Sequence, residues 1–253
     1  MDTLQHAALQ RFVNRLRSRS ILTSEEESAI LGLQGCLEHV AMHRDFMSQG
    51  EHVGYSCLVA EGLVGRFGQN RDGTRQITCL YIPGDMADLP AVVSPRSGCG
   101  LAALAPTTLL QLSHSDLRRL AATYSGIAEA FWRDCVADGS IFSEWIVKLG
   151  RRGATARIAH LLCEMAVRYE RSGQGDLLSF TLPMTQAQLA EATGMTNVHL
   201  NRVLRDLRLG EIVTVRAGEV VVHDWQQLVA LGEFNKAFLM LDEPSPRILV
   251  GTL

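Results

Sequence analysis

The sequence predicts an α+β chain built in three successive parts: a small antiparallel β-roll, a long helix, and a helix-turn-helix followed by a β-hairpin wing. Three observations predict it. Between residues 39 and 112, short strand-like runs alternate with glycine-containing turns. Residues 115–149 form a helical tract without proline that is apolar on more than one side. Residues 184–207, MTQAQLAEATGMTNVHLNRVLRDL, read as a helix, a glycine turn and a second helix, with two alternating strands directly behind. The expected division is 1–114 for N-terminal helices and roll, 115–150 for the long helix and hinge, 151–226 for the winged helix-turn-helix, and 227–253 for a C-terminal helix and tail.

Residues 4–34 carry helical spacing, with Leu9, Phe12, Val13 and Leu16 on one face. Thr23-Ser24 followed by Glu25-Glu26-Glu27 is a helix start with acid in its first turn. The strand-like runs of the roll are 56–60, 63–67, 75–82 and 108–112. Asn70-Arg71-Asp72-Gly73 is a hairpin signal, and Pro83-Gly84-Asp85 is a second turn. Residues 86–100 are less regular and include the loop Ser94-Pro95-Arg96-Ser97-Gly98.

In the long tract a 4-3 spacing joins Tyr124, Ala128, Phe131, Cys135, Asp138, Phe142, Trp145 and Leu149, and Ile127, Trp132, Val136, Ile141 and Ile146 widen the stripe. So broad a stripe predicts two buried sides, one against the roll and one against the same helix of a second copy, with a buried helix of a monomer as the alternative. Gly150-Arg151-Arg152-Gly153 then reads as a hinge. A helix over 154–171 turns Ile158, Leu161, Leu162, Met165 and Tyr169 inward. Asp224 with Gln227 opens a last helix to about 241, Pro244-Ser245-Pro246 ends regular structure, and 247–253 are expected to be loose.

Within 184–207 the local chemistry is dense. Thr185 caps the first helix and Gln188 completes a capping box; Gly194 stops it; Thr196 caps the second. Leu200, Val203, Leu204 and Leu207 form one apolar stripe, and the other face carries Val198, Arg202 and Arg205 with Asn201 on its flank and Asn197 at the exposed end. Arg can hold guanine bidentately and Asn can hold adenine, so this helix suits a DNA major groove. The strands 211–215 and 219–223, joined by Arg216-Ala217-Gly218, would rest on phosphates. The candidate DNA contacts are Thr185, Gln186, Thr196, Asn197, Val198, His199, Asn201, Arg202, Arg205 and Arg216. An ordinary helical hairpin with solvated arginines is the alternative.

The net charge is -3, but its distribution favours an anionic partner at one place. Residues 148–223 hold 10 Lys/Arg against 7 Asp/Glu, while 1–147 hold 12 against 16 and 224–253 hold 2 against 4. The only basic segment contains the helix-turn-helix. With 47% hydrophobic residues the chain can build real cores. No apolar run approaches the ~20 residues of a membrane span, and the N-terminus lacks the apolar core of a signal peptide, so a cytoplasmic protein without membrane contact is expected. Cys36, Cys57, Cys79, Cys99, Cys135 and Cys163 stand far apart with no CxxC, which reads as reduced thiols.

Tyr81-Ile82-Pro83-Gly84-Asp85, the run GATARIAHLLCEM at 153–165, and LPMTQAQLAEATGMTNVHLNRVLRDL at 182–207 make the chain resemble the Crp/Fnr superfamily of bacterial transcription regulators. The resemblance implies a cyclic-nucleotide-binding-like roll that senses a signal, a long dimerisation helix, and a second helix that reads DNA. It implies double-stranded DNA, a second copy and RNA polymerase as partners. By position Asn197, Val198 and Arg202 fall on the family's base-reading places; Arg202 keeps the family's Arg, while Asn197 and Val198 replace the common Arg and Glu. In nucleotide-binding relatives a Gly-Glu pair follows the Pro-Gly turn, and an Arg with Ser or Thr comes later. Here Met86-Ala87-Asp88-Leu89 stands in place of the pair. Asp88, Arg96 and Ser97 are the candidate effector residues, the effector is open, and cyclic AMP is not expected.

Other chemistries find less in the sequence. There is no GxSxG, Walker loop, HExxH or GxGxxG, so no enzyme is expected. A haem or metal sensor in the roll is the alternative role. His39, His43 and His52 are its raw material, but they lie in extended or looped sequence, and the cysteines are not grouped as an iron–sulfur cluster requires. No cofactor is expected.

Overall fold

A computed structural model describes residues 3–241, 244, 247 and 248. Two helices come first, α1 (Thr3–Arg17) and α2 (Ser24–Leu31), the latter opened by the expected capping box between Thr23 and Glu26. The roll follows: β1 (Cys36–Val40), β2 (Asp45–Met47), β3 (Tyr55–Glu61), β4 (Val64–Gln69), β5 (Arg75–Tyr81), β6 (Met86–Ala87), β7 (Gly100–Ala103) and β8 (Thr107–Ser113). They form two four-stranded sheets, ordered β1-β8-β3-β6 and β2-β7-β4-β5. Register in the first is antiparallel, with Cys36 opposite Gln111 and Leu58 opposite Leu110. Leu9, Phe12, Val13 and Leu16 of α1 are buried in one cluster with Leu58, Leu110, Leu112, Ile127 and Phe131.

The tract read as one helix is two, α3 (His114–Thr123) and α4 (Ser125–Arg151). Tyr124 between them is extended, and its hydroxyl donates to Glu25 (3.2 Å). Gly126 then lies against Glu26, whose carboxylate a Cβ would strike. The break lets the chain fit these two acids, a long-range demand that periodicity cannot register.

A second difference concerns the face of α4. Phe131, Asp138 and Trp145 of the 4-3 row are buried, and the exposed apolar side chains are Trp132, Val136, Ile146 and Val147. The outward row is shifted by one residue. Phe131 and Trp145 serve the chain's own core, and the Trp145 indole N–H donates to Glu164 (2.8 Å).

After α4 come α5 (Ala154–Arg171), β9 (Ser179–Thr181), α6 (Gln186–Thr193), α7 (Asn197–Leu209), β10 (Val213–Arg216), β11 (Glu219–Val222) and α8 (Trp225–Gly232). The last helix ends earlier than expected: Glu233 takes a left-handed conformation, and a single 3-10 turn spans Lys236–Leu239. Asp224 caps α8 by accepting from the Gln227 N–H (2.9 Å), as the sequence implies.

The chain divides into two compact units. One comprises Met1–Arg66, Leu80–Ser140 and Leu239–Leu253, the other Phe67–Cys79 and Ile141–Phe238. In the first, Arg15 reaches three carboxylates: Asp85, Asp134 (2.8 Å) and Asp138 (2.9 Å). Burial alone would lower the Arg15 pKa, but the three carboxylates outweigh it and hold the guanidinium well above its ordinary value. Asp85 also accepts from the Ile82 N–H (2.8 Å), closing the Pro83-Gly84-Asp85 turn. Gly84 there has φ +99°, and any Cβ would meet Arg11. Arg19 shares Asp134 (3.1 Å), and burial together with the Arg15 charge brings its pKa down to about 10.

The tail also departs from expectation. Arg19 donates to the Leu239 carbonyl (2.9 Å), Arg247 pairs with Glu26, and the Ile248 N–H donates to Glu129 (3.1 Å). Arg247 and Ile248 are thus tied by carboxylates that only the fold brings near. The rest of the segment expected to be loose, 249–253, lies outside the described residues, as do Ser245 and Pro246.

Candidate nucleic-acid interface

The second unit builds its surface on α5, a helix buried along most of its length. Above it α6 begins with the capping box read from the sequence: Thr185 Oγ1 accepts from the Gln188 N–H (3.2 Å), and Gln188 Oε1 accepts from the Thr185 N–H (2.7 Å). Gly194 follows with φ +62°, ψ +45°, a left-handed cap glycine adopts at little cost. Thr196 then caps α7 by accepting from the His199 N–H (3.3 Å).

One residue that fixes this turn went unread in the sequence. Arg157 of α5 donates to the carbonyls of Thr193 (3.2 Å) and Gly194 (3.3 Å), satisfying oxygens left open where α6 stops. Gln76, far away in sequence, donates to the Glu191 carbonyl. An arginine in the first turn of a helix with a broad apolar face was the only available signal for the first; the second had none.

On α7, Leu200, Val203 and Leu207 are buried. Asn197, Val198, His199, Asn201, Arg202 and Arg205 are exposed, as is Gln186 at the start of α6. Arg205 pairs with Asp206 (3.2 Å), an exposed contact that contributes little. Arg202 and Arg216 form no ion pair among the described residues. Thr185 is half-buried with its hydroxyl engaged in the cap, whereas the exposed Thr196 stands at the leading end of α7.

The wing is a three-stranded sheet, β10-β11-β9. Its tip is a two-residue turn, Ala217-Gly218, with φ +51° and +85°, closing the pair Arg216–Glu219. Two positive φ values match the handed twist of a hairpin. The strand β9, three residues long, was not legible in the sequence. It pairs with β11 through Phe180 opposite Val220 and steadies the wing against the chain that enters α6. A helix with a polar leading end, beside a hairpin with an arginine at its tip, is a geometry for a duplex groove and the phosphates flanking it.

Two family profiles match the chain: "Cyclic nucleotide-binding domain" over residues 37–124 and "Crp-like helix-turn-helix domain" over residues 156–231. The chain belongs to the Crp/Fnr family. It is similar to the nitrogen fixation regulation protein FixK of Rhizobium meliloti, 25% identical over 70% of this chain and 78% of that protein. It is also similar to the anaerobic regulatory protein of Haemophilus influenzae, 21% identical over 76% of this chain and 74% of the relative. Among solved structures, FixK2 from Bradyrhizobium japonicum shares the fold, with a TM-score of 0.72 at 24% identity, covering 79% of this chain and 98% of the other.

In this Crp/Fnr chain the roll residues named from the sequence part company. Asp88 and Ser97 are buried, with the Ser97 hydroxyl donating to the Cys99 carbonyl (2.9 Å), while Arg96 is exposed on the loop, where its backbone pairs with that of His52. The guanidinium that acts on Asp88 belongs instead to Arg66 of β4. Burial pushes the Asp88 carboxyl above the usual range, against the pull of the Ser97 hydroxyl and the Arg66 charge. Asp88 has φ +60°, and its Oδ2 has no hydrogen-bond partner among the described residues. His114 Nε2 lies 3.2 Å from Ser56 Oγ, which donates to the Asp88 carbonyl (3.3 Å). Among the described residues no three His, Cys, Asp or Glu side chains are grouped to hold a metal ion, and His39 Nδ1 instead pairs with Thr108 (3.1 Å). No helix among them is long and apolar enough to cross a membrane.

Proposed function

We propose that this Crp/Fnr protein is a cytoplasmic homodimeric transcription regulator, not an enzyme, that binds a palindromic operator through α7 and meets RNA polymerase there. In this reading 1–114 senses, 115–150 dimerises, 151–226 binds DNA, and 227–253 supplies a C-terminal helix and tail. The observation that carries it is the exposed leading end of α7, where Asn197, His199, Asn201 and Arg202 stand free behind a wing tipped by Arg216. Thr185, Gln186, Thr196 and Arg205 would contact the backbone at the edges. Two arginines test the docking differently. Arg202→Ala should cost ~1–3 kcal/mol and relax preference at one base pair, while Arg216→Ala should weaken all sequences alike and reduce the salt slope by about 1. Binding titrations at several salt concentrations separate the two; unchanged affinity and preference in Arg202→Ala would count against the docking.

We propose that cyclic AMP is not the signal, which leaves another small effector, or none with control by protein level. A cyclic phosphate needs a cation facing it and the ribose needs a carboxylate with room to reach. Support comes from the exposed Arg96 and from Ala87 and Asp88 in place of the Gly-Glu pair. Calorimetry with cyclic AMP and cyclic GMP is expected to show no heat of binding at physiological concentrations; micromolar affinity with tighter operator binding would restore Asp88, Arg96 and Ser97 as a nucleotide site.

A further inference from the structure

We infer that Val198 reads the 5-methyl group of a thymine in each half of the DNA site. The inference rests on the reading of α7 as the recognition helix. Val198 is the second residue of α7 and is 73% exposed. Its neighbours on the exposed end, Asn197, His199, Asn201 and Arg202, are all polar. The other large exposed apolar residue of α7, Leu209, lies at the opposite end. This isopropyl group, held out in water among hydrogen-bonding side chains, is left largely uncovered by the described residues.

Position and stiffness make it a reader. The Thr196 cap fixes the first turn of α7, and a β-branched side chain on a helix keeps essentially one χ1 rotamer. Little freedom is therefore lost when it is pressed against a base edge. In the major groove each base pair shows donors and acceptors, and only thymine adds an apolar group, the C5 methyl. A Glu at this place could accept from the cytosine amino group; valine has no acceptor and cannot. Its one favourable contact with a base edge is the methyl.

Deoxyuridine tests this directly, because it pairs as thymidine does and lacks only that methyl. Duplexes retained by the full-length protein are selected from a random pool. Each thymine of a retained duplex is then replaced singly by deoxyuridine, and binding is measured by fluorescence anisotropy. One position per half-site is expected to weaken binding about fourfold, the ~0.8 kcal/mol of one methyl-sized group. With Val198→Ala, whose exposed site leaves folding untouched, that penalty should shrink toward none while the other positions keep theirs. If no uridine weakens binding twofold, or if Val198→Ala shows the same penalty, the inference is overturned and DNA binding stands. If the pool yields no retained duplex, the recognition helix itself is misassigned and the inference falls with it.

Discussion

The double variant Trp132→Glu with Ile146→Glu is expected to sediment as a single chain of 27.8 kDa and to lose operator binding. Both side chains lie on the outward row of α4, 60% and 72% exposed, so neither supports the fold of its own chain. Helices that show such residues in a 4-3 row bury them against a like helix. A two-fold interface counts each residue twice, and four apolar side chains at ~1.5–3 kcal/mol each give about 6–12 kcal/mol. Replacing them with carboxylates that face one another removes this and adds repulsion, a change of more than about ten thousandfold in the dimer dissociation constant. Circular dichroism should be unchanged. A mass that stays at two chains would place the dimer elsewhere, and a wild-type protein that is itself monomeric would remove the proposal.

Arg15→Ala is expected to destabilise the protein by ~3–5 kcal/mol, since it leaves Asp85, Asp134 and Asp138 buried without their shared cation. For a chain of this size each kcal/mol is worth about 2–4 °C, so the melting point should fall by roughly 6–20 °C. The cause is separable from lost packing. Adding Asp138→Asn to Arg15→Ala should recover part of the loss, because one uncompensated charge is gone, whereas Asp138→Asn alone should destabilise. Thermal melts of the three variants check this. Full additivity of the two single losses would show that the ion cluster is not what holds α1 to the turn and to α4.

Legibility from sequence followed the range of the interactions. The helix-turn-helix was readable to the residue because its signals are local: a cap and its box within four residues, one glycine at the stop, one apolar row on α7. The short strands β1, β2, β6, β7 and β9 were not seen because their pairing is set by residues far away in sequence, whereas the equally short β10 and β11 are joined by a local turn. Which face of α4 is exposed could not be read, because two adjacent rows are both apolar, and only the fold decides which one the core takes. Similarly, Arg66 and Asp88 are brought together by the roll, whereas the sequence, matched to the Arg-Ser pattern of nucleotide-binding relatives, offered Arg96. Arg15 was invisible for the opposite reason: an arginine on an amphipathic helix is ordinary, and nothing local marks one that meets three acids.

The path of the chain has a consequence for how such a regulator can be changed. The hairpin end Phe67–Cys79 belongs with the helix-turn-helix unit, and the segment from Leu239 onward belongs with the roll. The polypeptide thus passes from one unit to the other four times: after Arg66, Cys79, Ser140 and Phe238. A chimera that grafts a foreign sensor at Gly153 would part Gln76 from the Glu191 carbonyl, and it would leave Arg19 without the carbonyl of Leu239. The exchangeable piece is not a contiguous stretch of gene. If the roll senses through Asp88 as proposed, new signal specificities would be acquired more readily by point substitution around it, inside an intact chain, than by recombination of halves.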